Sequence, residues 1–328
     1  PKGGDNLFLS SILAVRPDTG RLVWHYQTTP GDMWDYTATQ PMILATLEIE
    51  GVARRVLMQA PKNGFFYVLD RETGKLISAE KFVRMSWASR VDFKSGRPVK
   101  LAAADYRQGK KLVFPWFGGG HNWHPMAYHP GTQLVYVPVW DVGMNYKTVD
   151  RYEFDARRTN TALDYSVLDI TPRKSALLAW DPRRQIPAWR VDHPGFRNGG
   201  VLATGGNLVF QGTMQGTLAA YRASNGERLL ALATGTSILA APASYAIEGT
   251  QYIVVMAGFG GSGLESYPEG SAARRYGNEG RILAFRLDGR PVPRPPEVDW
   301  DANLPALPAS PRLSTAQRAR GEQIFYSY

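Results

Sequence analysis

The feature that most constrains this chain is a unit that returns along it: an apolar strand-like segment, a polar turn that usually closes on Gly, then a second apolar segment. "ILAVRPDTGRLVWHY" (Ile12 to Tyr26), "FYVLDRETGKLISA" (Phe66 to Ala79) and "LAAYRASNGERLLAL" (Leu218 to Leu232) carry it in full. "LLAWDPRRQIPAWRV" (Leu177 to Val191) keeps the frame without the Gly, and "ILAFRLDGRPV" (Ile282 to Val292) ends it early. Each reads as a β-hairpin, because Asp-x-x-Gly or Asn-Gly supplies a turn between two strands. The returns come at roughly 40 to 65 residues, the period of propeller blades made of four short strands. Further strand pairs lie between them, as in "NLVFQGTMQGTLAAY" and "APASYAIEGTQYIVVMAG", and long helical periodicity is nearly absent before residue 310. The pattern predicts an all-β array of about four to five blades, with a sandwich or β-helix as the structural alternatives.

Composition narrows the function classes. The 328 residues include 9 Trp and 16 Tyr with only 20% charged residues, which argues for a packed core and against disorder. A net charge of +9 invites a nucleic-acid reading, but the basic residues stand singly or in pairs such as Arg54-Arg55 and Arg183-Arg184. No basic stripe or basic helix appears, so nucleic acid is not expected as a partner, while an acidic protein partner stays open. With no Cys there is no disulfide, thiolate metal site or haem attachment within these residues. No apolar run reaches the roughly 20 residues of a membrane span. Pro1-Lys2-Gly3-Gly4 does not open a signal peptide and Pro1 is not an initiator, so the chain is expected to begin inside a longer protein.

After Asp288 the composition shifts. Residues 1–290 are expected to form the partial propeller, and 291–312 an extended linker with seven prolines between Pro291 and Pro311. Residues 313–328, "LSTAQRARGEQIFYSY", predict a helix with Ser314 as N-cap and Gln317 at the capping-box position.

Four stretches carry candidate chemistry. "TTPGDMWDYTATQP" (Thr28 to Pro41) sets Asp35 between Trp34 and Tyr36; on its own, Pro30-Gly31-Asp32 reads as a turn. "APKNGFFYVLD" puts Lys62 beside an Asn-Gly turn, where an ammonium polarises a bound carbonyl only if it points inward. "GGGHNWHPMAYHP" gathers His121, His124 and His129 around Asn122 and Trp123. His-x-x-His could ligate a metal, but no Cys partner or helix fixes the spacing, so hydrogen-bonded histidines in a glycine-rich loop are the favoured reading. "GFGGSG" (Gly258 to Gly263) matches a dinucleotide fingerprint, yet "LESYPEGS" follows in place of a helix, so a nicotinamide site is rejected and close backbone approach is the better account of the glycines.

Together these pieces resemble one family. "GGDNLFLSSILAVRPDTGRLVWHYQTTPGDMWDYTATQPM", "APKNGFFYVLDRETGKLISA", "GGHNWHPMAYHP", "NGGVLATGGNLVFQGT" and "GTQYIVVMAGFGG" are similar, in this order from Gly3 to about Asp288, to the pyrroloquinoline quinone (PQQ)-dependent alcohol dehydrogenases, quinohaemoprotein branch. The resemblance implies the second half of an eight-bladed quinoprotein propeller, binding PQQ and Ca2+ near its axis. It implies periplasmic oxidation of primary or secondary alcohols, with electrons passed to a cytochrome c, a haem domain or a membrane-associated cytochrome subunit. "ARGEQIFYSY" resembles the opening helix of a c-type cytochrome domain, in which a haem c motif would follow.

By the same resemblance Asp35 is the general base and a metal ligand, and Lys62 hydrogen-bonds the quinone oxygens. Trp34 and Tyr36 are expected to shape the pocket around Asp35 and restrict water. Asn122 and Trp123 hold the cofactor; Asn198-Gly199 and Gly260-Gly261 bring backbone amides to its carboxylates. Arg197 stands where the family has Trp before Asn-Gly-Gly, and Leu230 replaces a Trp that docks one blade on the next. Thr37 stands where a lanthanide-using relative carries a second Asp, which favours calcium. The rival expectation is a non-enzymatic propeller scaffold or inactive remnant, which would need neither Asp35 nor Lys62.

Overall fold

In the computed structural model, residues 4–156, 160–195, 197–260, 267–299 and 313–327 are described. The hairpin turns share one backbone device. Gly20, Gly74 and Gly226 sit at φ +67°, +70° and +75°, and each donates its N–H to the carbonyl four residues back, on Arg16, Asp70 and Arg222. Gly reaches that left-handed conformation without steric cost. In the hairpin that lacks Gly, Gln185 takes the position at φ +56° and donates to the Asp181 carbonyl at 2.8 Å.

These turns organise antiparallel sheets in chain order. A two-stranded sheet comes first, β1 (Ser11–Val15) with β2 (Leu22–Gln27). A four-stranded blade follows: β3 (Ile43–Ile49), β4 (Val52–Gln59), β5 (Phe65–Asp70) and β6 (Leu76–Lys81). Next come a small hairpin, β7 (Ala88–Asp92) with β8 (Arg97–Lys100), and β9 (Lys111–Val113). The second full blade is β10 (Ala127–His129), β11 (Leu134–Asp141), β13 (Lys174–Asp181) and β14 (Ile186–His193); β12 (Met144–Tyr146), inside its long connection, pairs back on β9. The third is β15 (Asn198–Thr204), β16 (Leu208–Thr213), β17 (Thr217–Arg222) and β18 (Arg228–Ala233). A three-stranded sheet, β19 (Ala243–Ile247), β20 (Thr250–Ala257) and β21 (Arg281–Phe285), comes last. The described residues therefore hold three complete blades between a two-stranded and a three-stranded one.

Each of the four hairpins carries a bulge one residue before the same position, which leaves Trp24, Ser78, Trp189 and Leu230 as the first regularly paired residues after it. A bulge bends its strand and re-aims the side chains beside it. The first three of these residues reach the turn of the next blade. A Cβ on Gly74 would lie 2.5 Å from the Trp24 ring, and one on Gly226 2.7 Å from Trp189. At the middle junction a smaller pair stands in: the Gln185 side chain donates to Ser78 Oγ at 2.8 Å. Leu230 remains 41% exposed, which agrees with its reading as a weakened docking position.

Every seam between sheets has its own apolar core. Tyr67, Leu69, Trp34, Tyr36 and Trp87 pack on the Asp35 side of the first blade; Phe66, Val137 and Trp180 fill the next seam. Tyr136, Leu177 and Tyr221, then Leu218, Ile238 and Val255, fill the following two. The period-two burial of β5, with alternate residues feeding opposite seams, is what a strand covered on both faces requires. A short helix, α1 (Ala272–Tyr276), is capped by Ser271. It lies fourteen residues beyond Gly258, too far to serve the glycine run, and its five residues are too few to show a helical period in the sequence. The C-terminal helix α2 (Thr315–Ser327) has the expected reciprocal cap: Gln317 N–H donates to Ser314 Oγ and Ser314 N–H to Gln317 Oε1.

Candidate active site

The loop from β2 to β3 is shaped by Asp32. Its Oδ1 accepts from Trp34 N–H at 2.9 Å and its Oδ2 from Tyr36 N–H at 2.7 Å. The two rings point into the core, stacked at 5.7 Å between centroids and both against Trp87. Trp34 Nε1 donates to the Ala104 carbonyl and Tyr36 OH to that of Pro115. Asp35, between them, is turned the other way at φ +64°, with its side chain 60% exposed. Trp34 and Tyr36 therefore do not wall a pocket around Asp35: alternation along the loop sends both rings into the core, where they anchor the backbone that presents the carboxylate. A non-Gly residue held there stores about 1–3 kcal/mol of strain, which persists only where neighbours over-determine it. Burial pushes the Asp32 carboxyl above the usual carboxylate range, and the two backbone N–H groups oppose that shift.

Lys62 meets this loop from the turn between β4 and β5. It points inward and is buried, and Nζ donates to Asp35 O at 3.0 Å and to Asp35 Oδ2 at 3.1 Å. With one partner exposed, the ion pair itself contributes about 1 kcal/mol or less; its consequence is positional. Asn63 locks the turn: Oδ1 accepts from Phe65 N–H, while Nδ2 lies within bonding distance of the Thr28 carbonyl, Thr29 Oγ1 and Tyr67 OH. The Asn63 carbonyl accepts from Trp87 Nε1 at 2.7 Å. From the other side, Gly119 (φ +84°) presses so close that a Cβ there would sit 2.5 Å from Lys62 Cα, and Gly120 N–H donates to the Lys62 carbonyl. Asp32, Asn63 and Gly119 are the positions that the sequence did not single out as part of the site, although the Asx turn, the Asn-Gly turn and the glycine run were their signals.

The same glycine run leads to Asn122 and Trp123. Asn122 is half-buried; its Nδ2 donates to the Gly118 carbonyl and its Oδ1 accepts from Trp123 N–H. Trp123 is 46% exposed and lies flat on the His124 ring, 4.0 Å between centroids. His124 is buried with no hydrogen-bond partner for Nε2 among the described residues, and burial pushes its pKa down to about 3. His121 places both ring nitrogens 2.7 Å from carbonyls, those of Ala60 and His124, and His129 Nδ1 accepts from Thr132 N–H. The histidines are packing and hydrogen-bonding residues. Among the described residues no group of three or more His, Asp or Glu side chains is arranged to hold a metal ion.

Trp123 and Gly260 share a cavity of about 360 Å³, whose other lining includes Leu239, Met256 and Phe259. Among the described residues nothing lies within 4 Å of where a Cβ on Gly260 (φ +74°) would stand. Gly261 lies outside the described residues. Asn198 and Gly199 are not part of this cavity's lining. The Asn198 amide donates to Ser175 Oγ and accepts from Met214 N–H, and a Cβ on Gly199 would meet the carbonyls of Ala240 and Ile238 at 2.9 and 3.0 Å. Their evident work is to let two blades approach. The site thus has two parts: a polar corner at Asp35 and Lys62, and an apolar rim from Trp123 to Gly260, with Gly119 to Asn122 running between them.

The succession of antiparallel blades is that of a segment of a β-propeller. Residues 1–86 match the glucose/ethanol/alcohol dehydrogenase β-propeller domain family. Over nearly its whole length the chain is 46% identical to the quinohemoprotein alcohol dehydrogenase ADH IIB of Pseudomonas putida, covering 99% of this chain and 47% of that protein. It is 40% identical to the 1-butanol dehydrogenase (cytochrome c) of Thauera butanivorans, across 88% of this chain and 43% of that one. The crystal structure of the quinohemoprotein alcohol dehydrogenase from Comamonas testosteroni superposes with a TM-score of 0.82 at 45% identity, covering 91% of this chain and 45% of that one. The chain carries a PQQ β-propeller domain and is a partial-length match to the quinohaemoprotein alcohol dehydrogenases; it spans about half the length of the curated relatives it matches.

Proposed function

We propose that this chain carries the base-bearing half of the catalytic site of a periplasmic PQQ-dependent alcohol dehydrogenase, which oxidises primary or secondary alcohols to aldehydes or ketones and passes electrons to a cytochrome c. The observation that carries the reading is the buried Lys62 ammonium aimed at an outward-turned Asp35. A scaffold has no use for a left-handed, exposed carboxylate held by a buried cation.

The residues suit a flat, anionic, oxygen-rich cofactor. Lys62 uses two of its three N–H groups on Asp35, which leaves a donor for a quinone oxygen on the inner face. Trp123 and the Gly260 backbone border a cavity of about 360 Å³, and Asn122 directly precedes Trp123, whose N–H it accepts. When bound, PQQ supplies the two-electron acceptor that no side chain here provides. Asp35 then takes the hydroxyl proton of the alcohol at Oδ1, the oxygen not paired with Lys62, while Lys62 keeps the carboxylate oriented and offsets negative charge that develops beside it. Calcium enters the proposal only through Asp35: among the described residues no group of three or more His, Asp or Glu side chains is arranged to hold a metal ion. No described helix is long and apolar enough to cross a membrane, and the periplasmic assignment rests on the kinship alone.

The test is to load the complete protein that carries this chain with PQQ in the presence of Ca2+ and to follow alcohol-dependent reduction of an artificial electron acceptor, a half-site alone being expected to be inactive. Saturable turnover with short primary alcohols that vanishes when PQQ is omitted is the expected result. PQQ uptake without any alcohol-dependent reduction would overturn the enzymatic reading in favour of a scaffold.

A further inference from the structure

We propose that Asp32 is the positioning residue of Asp35, holding it in its outward, left-handed conformation by bonding the backbone on both sides of it; the proposal rests on the reading of Asp35 as the base. Trp34 N–H and Tyr36 N–H belong to the residues immediately before and after Asp35, and a single carboxylate accepts from both, at 2.9 and 2.7 Å. With both ends of the Asp35 backbone drawn toward one group, the residue between them is forced outward, as its φ of +64° records. A side chain with one acceptor atom cannot give each of these N–H groups its own oxygen, as the two Asp32 oxygens do.

The loop around this carboxylate is itself braced. Lys100 Nζ donates to the carbonyls of Pro30 and Gly31 at 2.6 and 3.0 Å and stands 5.7 Å from the Trp34 ring. The Tyr106 hydroxyl donates to the Met33 carbonyl. The Trp34 and Tyr36 rings are locked in the core on one side of the loop, so the fold fixes everything around residue 35 except the two peptide N–H groups that Asp32 takes. Both of these partners of Asp32 are backbone groups; it acts through Asp35 rather than on substrate.

The experiment compares Asp32→Asn and Asp32→Ala in the PQQ-loaded protein. Asn keeps one acceptor and should lower kcat by about tenfold, Ala by on the order of 100-fold, since displacement of a reacting group by about 1 Å costs that much. The KM for the alcohol and the bound PQQ should stay within about twofold, because both Asp32 oxygens are taken by backbone N–H groups. A crystal structure of Asp32→Ala should show residue 35 out of the left-handed region and the 3.1 Å contact with Lys62 lost. A merely structural residue would lower the melting temperature and leave kcat intact. Full kcat in either variant, or an unchanged residue 35 backbone, overturns the proposal. If Asp32→Ala does not fold, Asp32→Asn decides it through the same readouts. Should Asp35→Asn prove active, the base reading falls, yet the backbone at residue 35 in the Asp32 variants still decides whether Asp32 positions it.

Discussion

The two parts of the candidate site are built in opposite ways. At the Asp35–Lys62 corner the neighbours are tied down: Asp32 holds two N–H groups, Asn63 is engaged at both ends, Gly119 presses on Lys62 and Gly120 donates to its carbonyl, and two stacked rings are buried behind. At the Trp123–Gly260 rim, by contrast, Met256 is 67% exposed, no described residue lies within 4 Å of a Cβ on Gly260 and the contacts are apolar. Groups that handle a proton must be held to fractions of an ångström, whereas a surface that receives a broad planar face needs area and access. The difference separates where chemistry is fixed from where fit is adjustable.

Variants at the corner should therefore cost far more than variants at the rim. Lys62→Ala should lower kcat/KM by on the order of 10²–10³-fold, about 3–4 kcal/mol, in steady-state assays of the PQQ-loaded protein, since it removes a buried donor aimed at developing charge. Asn63→Ala should destabilise by about 3 kcal/mol in urea unfolding, because it strips a buried hub and leaves the Phe65 N–H and Thr28 carbonyl without it. Between the two regions lies His124. Its folded form stays neutral down to about 3, while an unfolded His takes up a proton near 6.5. The unfolded state binds more protons in that window, so stability falls as pH drops through it, by up to about 3 kcal/mol at pH 4. His124→Phe should lose that contribution, seen as a smaller gap between melting at pH 7 and pH 4 than in the parent. At the rim, Met256→Ala should change stability by about 0.5 kcal/mol or less and leave kcat untouched. A large kcat effect there would erase the contrast.

Much of the fold was legible because its repeating unit has a local cause. Asp-x-x-Gly and Asn-Gly turns demand a left-handed residue, and Gln185 fills the same slot in the one hairpin written without Gly. The capping box at Ser314 and Gln317 is equally local. Asp35 and Lys62 were readable as residues, but their meeting was not, since they stand 27 positions apart and close only through the first full blade. Trp34 and Tyr36 show the limit most clearly: sequence places them beside Asp35, and only tertiary packing decides that the rings turn inward while the carboxylate turns out. Asn198 is similar. Its amide serves Ser175 and Met214 across a blade seam, a use that no local spacing announces.

The most direct measurement is turnover and PQQ content of Asp35→Asn side by side with the parent protein. Removing the proton acceptor while keeping the shape should abolish alcohol oxidation, by on the order of 10³-fold or more, with PQQ still bound. Turnover within a few fold of the parent would contradict the assignment of the base and, with it, the functional account of the Asp35–Lys62 corner.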